Sequence, residues 1–302
     1  MHPGRPISRR SLLLGAAGLA GLAVAGACGT GGDDPGQAGR IELEPVDGRV
    51  LLAGFAYQGG YLVTGIPQRL TFVVGGPDGT PSAQAPPELT LQLSRNGVDL
   101  GDPVVVSRHA DGVPLPYFPL TATFAEPGAH LARAEIDGAV SEQSFIVEPA
   151  SAVALVQVGS ALPAVDTPTP AEPRGVDPVC SRTPACPLHD VTLAAALQQG
   201  RPLALLVGSP AASGTGLSGP LLELLVEQAE SYTAVRFIHA EVYRNATAAD
   251  AAATSVTPVV GALGLTFEPS LVLADAAGTI VSRLDNVYDR SELRAALDAI
   301  AA

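Results

Sequence analysis

Cys180 and Cys186 have the widest chemical reach of any residues in this sequence of 302 residues, whose third cysteine is Cys28. A thiol pair can close a disulfide, exchange with other thiols, or ligate a soft metal. The pair is even, and the export signal described below sends it to an oxidising compartment. The expected state is therefore one structural disulfide closing a short loop. Exchange is the alternative, with Arg182 and His189 near enough in sequence to help stabilise a thiolate. Against it, the spacing is not C-x-x-C, and Pro184 and Pro187 suggest a stiff loop rather than a helix N-terminus that would lower a thiol pKa. Zinc would need more ligands than the pair and His189 supply, so neither a metal nor a cofactor is expected.

The segment Gly214-Thr215-Gly216-Leu217-Ser218-Gly219 is a literal G-x-G-x-x-G between an expected strand and an expected helix, and Glu241 ends the next expected strand. That is the dinucleotide fingerprint in its proper context. Ser209 to Ser213 separate the strand from the first glycine, where the fingerprint wants a tight turn. Pro220 also removes an N–H beside the place where a pyrophosphate would sit. Dinucleotide binding through Gly214–Gly219 is kept as a second alternative. Serine hydrolysis would need a base for Ser218, and His239 lies inside an expected strand; the run also misses the G-x-S-x-G elbow by one residue.

Residues 1–27 form a targeting segment. Arg9 and Arg10, followed by Ser11 and three leucines, resemble a twin-arginine export signal, and the stretch from Leu12 to Ala27 is apolar but diluted by glycine and alanine. Val24-Ala25-Gly26-Ala27-Cys28 resembles a lipobox, which makes Cys28 the expected lipidation site. Residues 28–40 have the Gly-rich, polar composition of a flexible tether. These features imply an exported chain, lipid-anchored on the outer face of the cytoplasmic membrane.

The segment 1–27 carries three arginines and no acid, so the remainder holds 14 basic against 30 acidic residues, a formal charge of −16. An acidic surface of that size argues against nucleic acid and against electrostatic docking on anionic lipid. All the basic residues are arginine and tryptophan is absent, so the cores must be mostly aliphatic.

The spacing of apolar residues predicts how these groups are positioned. Residues 41–149 read as short strands: Leu70, Phe72 and Val74 alternate, as do Leu89, Leu91 and Leu93, with further strands near 103–107, 120–124, 130–136 and 143–147. Asn96-Gly97 and Asp137-Gly138 mark turns. The expectation is an antiparallel β-sandwich of immunoglobulin-like type, in which His109 and His130 are isolated, solvated or core residues. Residues 150–188 read as a Pro-rich connector ending in the cysteine loop. From 189 to 302 the pattern becomes α/β. A helix capped by Asp190 precedes the apolar run 202–207, Pro220 starts a helix, and 235–242 is a second strand. Residues 270–274 and 279–284 make an antiparallel pair, and Asp289-Arg290-Ser291-Glu292 has capping-box spacing for a last helix.

This order, together with residues 175–186, 237–243 and Phe267-Glu268-Pro269, resembles the thioredoxin-like superfamily, specifically exported bacterial lipoproteins with an N-terminal β-sandwich. The resemblance covers roughly residues 160 to 302. In that group the first strand leads to a loop holding two redox cysteines, the second followed by Gly-Pro. Here Gly219-Pro220 are kept, but Ser213 and Ser218 stand at the cysteine positions. Pro269 matches the family's cis-proline, which contacts extended substrates. A serine hydroxyl neither attacks as a thiolate nor forms a disulfide. The resemblance thus implies a multi-domain envelope protein that is redox-inactive at its usual loop and has no catalytic residue there. Its role would be to bind or scaffold an extended peptide or envelope protein by strand addition at a sheet edge beside Pro269, with thiol–disulfide exchange by Cys180 and Cys186 as the enzymatic alternative.

Overall fold

The computed structural model describes residues 48–54 and 61–301. Arg9, Arg10 and Cys28 lie outside them. The N-terminal half is a β-sandwich. One sheet joins β1 (Val50–Ala53), β2 (Pro67–Gly75) and β6 (Phe118–Thr123) in the order β1-β2-β6, all antiparallel. The other contains β3 (Glu88–Arg95), β4 (Val98–Asp99), β5 (Val104–Ser107), β7 (Gly128–Ile136) and β8 (Ala139–Val147). Its order is β4-β3-β7-β8, with β5 also paired to β3. Leu70, Phe72 and Val74 of β2 and Leu89, Leu91 and Leu93 of β3 are buried, as strict alternation requires of a sheet with one wet face. The two hairpin tips have both central residues at positive φ: Asn96 and Gly97 at 51° and 76°, Asp137 and Gly138 at 54° and 82°. That backbone matches the twist of the flanking strands and suits Asn-Gly and Asp-Gly.

The C-terminal half is built on a mixed four-stranded sheet of β9 (Leu203–Val207), β10 (Arg236–Ala240), β11 (Ser270–Ala274) and β12 (Ile280–Asp285), in the order β10-β9-β11-β12. β10 runs parallel to β9; β11 is antiparallel to both β9 and β12. Helices α1 (Leu193–Leu197), α2 (Ser218–Ala229), α3 (Pro258–Leu263) and α4 (Arg290–Ala301) flank it. Every residue of β9 and β11 is buried, because both faces of the sheet are covered. Leu203, Leu205 and Val207 join a core with α1, α3 and the connector residues Leu155 and Leu162, and this core is continuous with that of the sandwich. Ala204 and Leu206 face the other way, against Leu221, Leu222, Leu224 and Leu225 of α2 and Leu293, Leu297 and Ile300 of α4.

Several local expectations change. Helix α1 is capped by Thr192, whose side chain accepts from the Ala195 N–H, while Asp190 pairs with Arg236. The connector lines both sheet edges: Leu188 accepts from the His239 N–H at one, and Gly159 and Ser160 exchange hydrogen bonds with Ile280 at the other. β11, which follows Pro269, is interior to the sheet. Strand addition beside Pro269 therefore has no free edge at these positions, because the chain's own connector fills them.

Asp289 does cap α4, accepting from the Glu292 N–H at 2.9 Å. Glu292 does not complete a capping box; it accepts two hydrogen bonds from Arg69 of β2 (2.5 and 2.6 Å) and one from the Tyr117 hydroxyl (2.5 Å). Arg69 also donates to the carbonyls of Asp285 and Val287, and the Asp289 N–H donates to the Tyr117 oxygen. This clasp fastens the sandwich to the second sheet. His109, expected to be isolated, meets Asp289 at 3.0 Å. Although burial acts against the charged form of each group, their mutual hydrogen bond raises the His109 pKa and helps to hold that of Asp289 well below the carboxylate range. Among the described residues no helix is long and apolar enough to cross a membrane.

Candidate functional site

The chemistry-bearing residues gather at the C-terminal ends of β9 and β10, where parallel strands deliver their loops to one edge of the sheet. After β9 comes Gly208. A Cβ there would stand 3.0 Å from Ser218 Oγ and 3.3 Å from Pro269 Cβ, so this glycine allows three segments to meet. Ser213 is half-buried, ahead of α2, and its hydroxyl oxygen accepts from the Ser218 N–H at 3.4 Å. Ser218 is wholly buried in the first turn. The Glu268–Pro269 peptide is cis.

The Gly214–Gly219 loop satisfies itself. Thr215 Oγ1 accepts from the Leu217 N–H, and Ser213 Oγ takes that of Ser218. The Leu217 and Ser218 N–H groups, at the start of α2, are therefore taken within the loop itself. Beyond β9 the sheet continues antiparallel through β11 and β12, unlike the parallel order of a dinucleotide fold. Ser218 Oγ donates to Glu268 Oε2 at 3.2 Å and is not paired with His239.

Glu268 also accepts from the Ser209 N–H at 2.7 Å. Burial pushes its pKa up to about 7, partly offset by the Ser209 and Ser218 hydrogen bonds. Nearby Glu241 is 1% exposed; its Oε1 takes the Ser181 N–H at 2.6 Å, and its Oε2 has no hydrogen-bond partner among the described residues.

On the α2 side of the sheet, Cys180, Cys186, His189 and His239 converge, all buried, with one ligand atom of each lying within 4.8 Å of all the others. Both cysteines are free thiols, so the disulfide expected between them is not formed in the structure. Each sulfur turns instead toward His239 Nδ1, Cys180 at 3.7 Å and Cys186 at 3.6 Å. His189 Nε2 lies 3.0 Å from the same Nδ1. His239 Nε2 is 2.9 Å from the Gly208 carbonyl, which can only accept. Nε2 therefore carries the proton, and in the neutral ring Nδ1 presents a lone pair to the cluster. The Cys186 N–H donates to Cys180 Sγ at 3.3 Å. A hydrogen bond from Cys186 holds the Cys180 thiol well below its usual range despite burial, and the same bond, with burial, pushes Cys186 up.

His239 is the member of this cluster that spacing alone does not reveal. It stands 50 residues after His189, inside the apolar run Phe237-Ile238-His239-Ala240, and no local pattern links it to Cys180. One signal was available. An imidazole in a strand buried on both faces needs partners for both nitrogens, and alternation puts it on the same face as Phe237.

No protein-family model matches the chain, and no curated protein matches it. Similar solved structures include a mutant form of the titin M10–obscurin-like 1 Ig complex (20% identity, 33% of this chain and 91% of that one, TM-score 0.21). A second is a superoxide reductase (neelaredoxin) from Ignicoccus hospitalis (17% identity, 34% and 83%, TM-score 0.22). A third is the PKD domain of the human VPS10 domain-containing receptor SorCS2 (16% identity, 43% and 96%, TM-score 0.20). Likenesses at these scores establish no relationship.

Proposed function

We propose that this is an exported envelope lipoprotein, anchored through Cys28, whose sandwich is immunoglobulin-like and whose C-terminal unit is a thioredoxin-like scaffold silent in thiol exchange at its usual loop. It would hold an envelope protein or extended peptide rather than turn over a substrate. The observation that carries the reading is the pairing of half-buried Ser213 with buried Ser218 at the start of α2, packed under Pro269 at Gly208. The strand order β10-β9-β11-β12, with α2 and α4 on one face, supports it. The rival, exchange by Cys180 and Cys186, is disfavoured by burial, since the two residues are 7% and 6% exposed and an attacking thiol needs access to sulfur.

Restoring the thiols tests the reading. The S213C/S218C double variant should form a reducible disulfide and reduce insulin, while the parent protein should not. If the introduced cysteines stay unpaired and the variant remains inert, the thioredoxin-like assignment fails. If the parent reduces insulin and loses that activity on C180S, the rival takes its place.

A further inference from the structure

We propose that Cys180, Cys186, His189 and His239 form a closed, tetrahedral zinc site that fastens the connector loop to the outer strand of the second sheet.

The donor geometry carries the argument. Tetrahedral zinc with two sulfur and two nitrogen ligands sets S···N separations of about 3.6 Å and an N···N separation of about 3.3 Å, from Zn–S and Zn–N bonds near 2.3 and 2.05 Å. The distances here are 3.7 and 3.6 Å from the two sulfurs to His239 Nδ1, and 3.0 Å between the imidazole nitrogens. The other donor pairs lie within 4.8 Å, so drawing all four onto one ion needs side-chain movements of up to about 1 Å. A disulfide would need the sulfurs at about 2.05 Å.

The ring orientation agrees. The Gly208 carbonyl fixes the His239 tautomer from behind, as backbone acceptors do for metal-bound histidines, and leaves Nδ1 facing the sulfurs. Among the described residues His189 Nδ1 has no hydrogen-bond partner, while its Nε2 points into the cluster at 3.0 Å from His239 Nδ1. The backbone N–H of Cys186 on Cys180 Sγ offers the support that a thiolate ligand takes.

Charge and burial select the ion. Two thiolates and two neutral imidazoles around a divalent cation sum to zero, which is the condition for burying the set at low cost. Cys180, Cys186, His189 and His239 are between 1% and 7% exposed, so no open position is left for water. A closed S₂N₂ set is that of structural zinc and not of a catalytic centre. Three ligands come from residues 180–189 and the fourth from β10, so the ion would join the connector, otherwise held there by the Leu188–His239 and Ser181–Glu241 hydrogen bonds, to the sheet.

The test uses purified, reduced protein stripped by a chelator, then titrated with Zn²⁺ against a chromophoric competitor and with Co²⁺ as an optical probe. One ion per chain is expected. The Co²⁺ form should show the intense visible bands of a tetrahedral centre with thiolate-to-cobalt charge transfer, and Zn²⁺ should protect both thiols from alkylation. His189→Ala, in the loop ahead of α1, should weaken Zn²⁺ by at least about 100-fold with an unchanged circular dichroism spectrum, and His189→Cys should restore binding. The assignment is overturned if the Co²⁺ form lacks charge transfer while both thiols stay reactive in Zn²⁺. It is equally overturned if His189→Ala binds Zn²⁺ as tightly as the parent.

Discussion

Glu268 is a carboxyl whose surroundings favour its proton. Its pKa of about 7 in the folded protein stands above the ordinary 4.5, so the native state holds more protons than the unfolded chain between those values, and stability falls as pH rises through that window. The difference amounts to roughly 3 kcal/mol. Glu268→Gln should remove most of this slope: urea midpoints should match the parent near pH 4.5 and exceed it near pH 8. The sequence marks Glu268 only as the neighbour of Pro269; its burial is not legible there, because the groups it meets, Ser209, Ser218 and Tyr243, are scattered over 35 residues. Cys180, Cys186 and His189 are different: their types and close spacing single them out, and only the partner they face needed the fold. Two thiols in one short loop read as a disulfide; the structure shows them unbonded, each turned toward a histidine hidden in an apolar strand.

At the level of elements, the strands and helices were largely legible because alternation and turn residues are local. β11 occupies the expected residues, and β9 and β2 depart by a residue or a few. Helix caps were read less well. Asp190 and Glu292 have the right residue types, yet each carboxylate is taken by an arginine from another element, Arg236 and Arg69. A charge-assisted pair brought by tertiary structure outweighs a local cap. The clasp should consequently matter more than a surface ion pair. Arg69→Met leaves Glu292 half-buried beside Tyr117 without its cation, which should cost about 3–5 kcal/mol in denaturant unfolding, whereas Tyr117→Phe should cost about 1–3 kcal/mol for the hydrogen bonds it strands. Gly264, which ends α3 at φ 67°, has no room for a side chain: a Cβ would lie 2.4 Å from the Ala154 carbonyl oxygen. Gly264→Ala should therefore cost more than the ~1 kcal/mol of a left-handed alanine alone, measured in the same way.

For the whole molecule, the sequence separates a sandwich from an α/β unit, but it does not disclose that one buried core runs from the first into one face of the second. Core continuity depends on how the connector lies, and a Pro-rich segment carries no periodicity from which to read that. The proposed anchor is tested at this scale too. In cells fed radiolabelled palmitate the parent chain should take up label and Cys28→Ser should not, and label retained on that substitution overturns the anchor.

The clasp also has a bearing on the order of events in biosynthesis. Glu292 follows Arg69 by 223 residues. The sandwich strands leave the ribosome long before their acidic counterpart exists, and until then the Arg69 guanidinium must stay in water. Assembly is thus staged by chain elongation: each sheet can form as its own strands emerge, but the two halves can be latched only when α4 is free to dock. A nascent chain halted before residue 292 would carry an unlatched sandwich, more open to protease than the finished one.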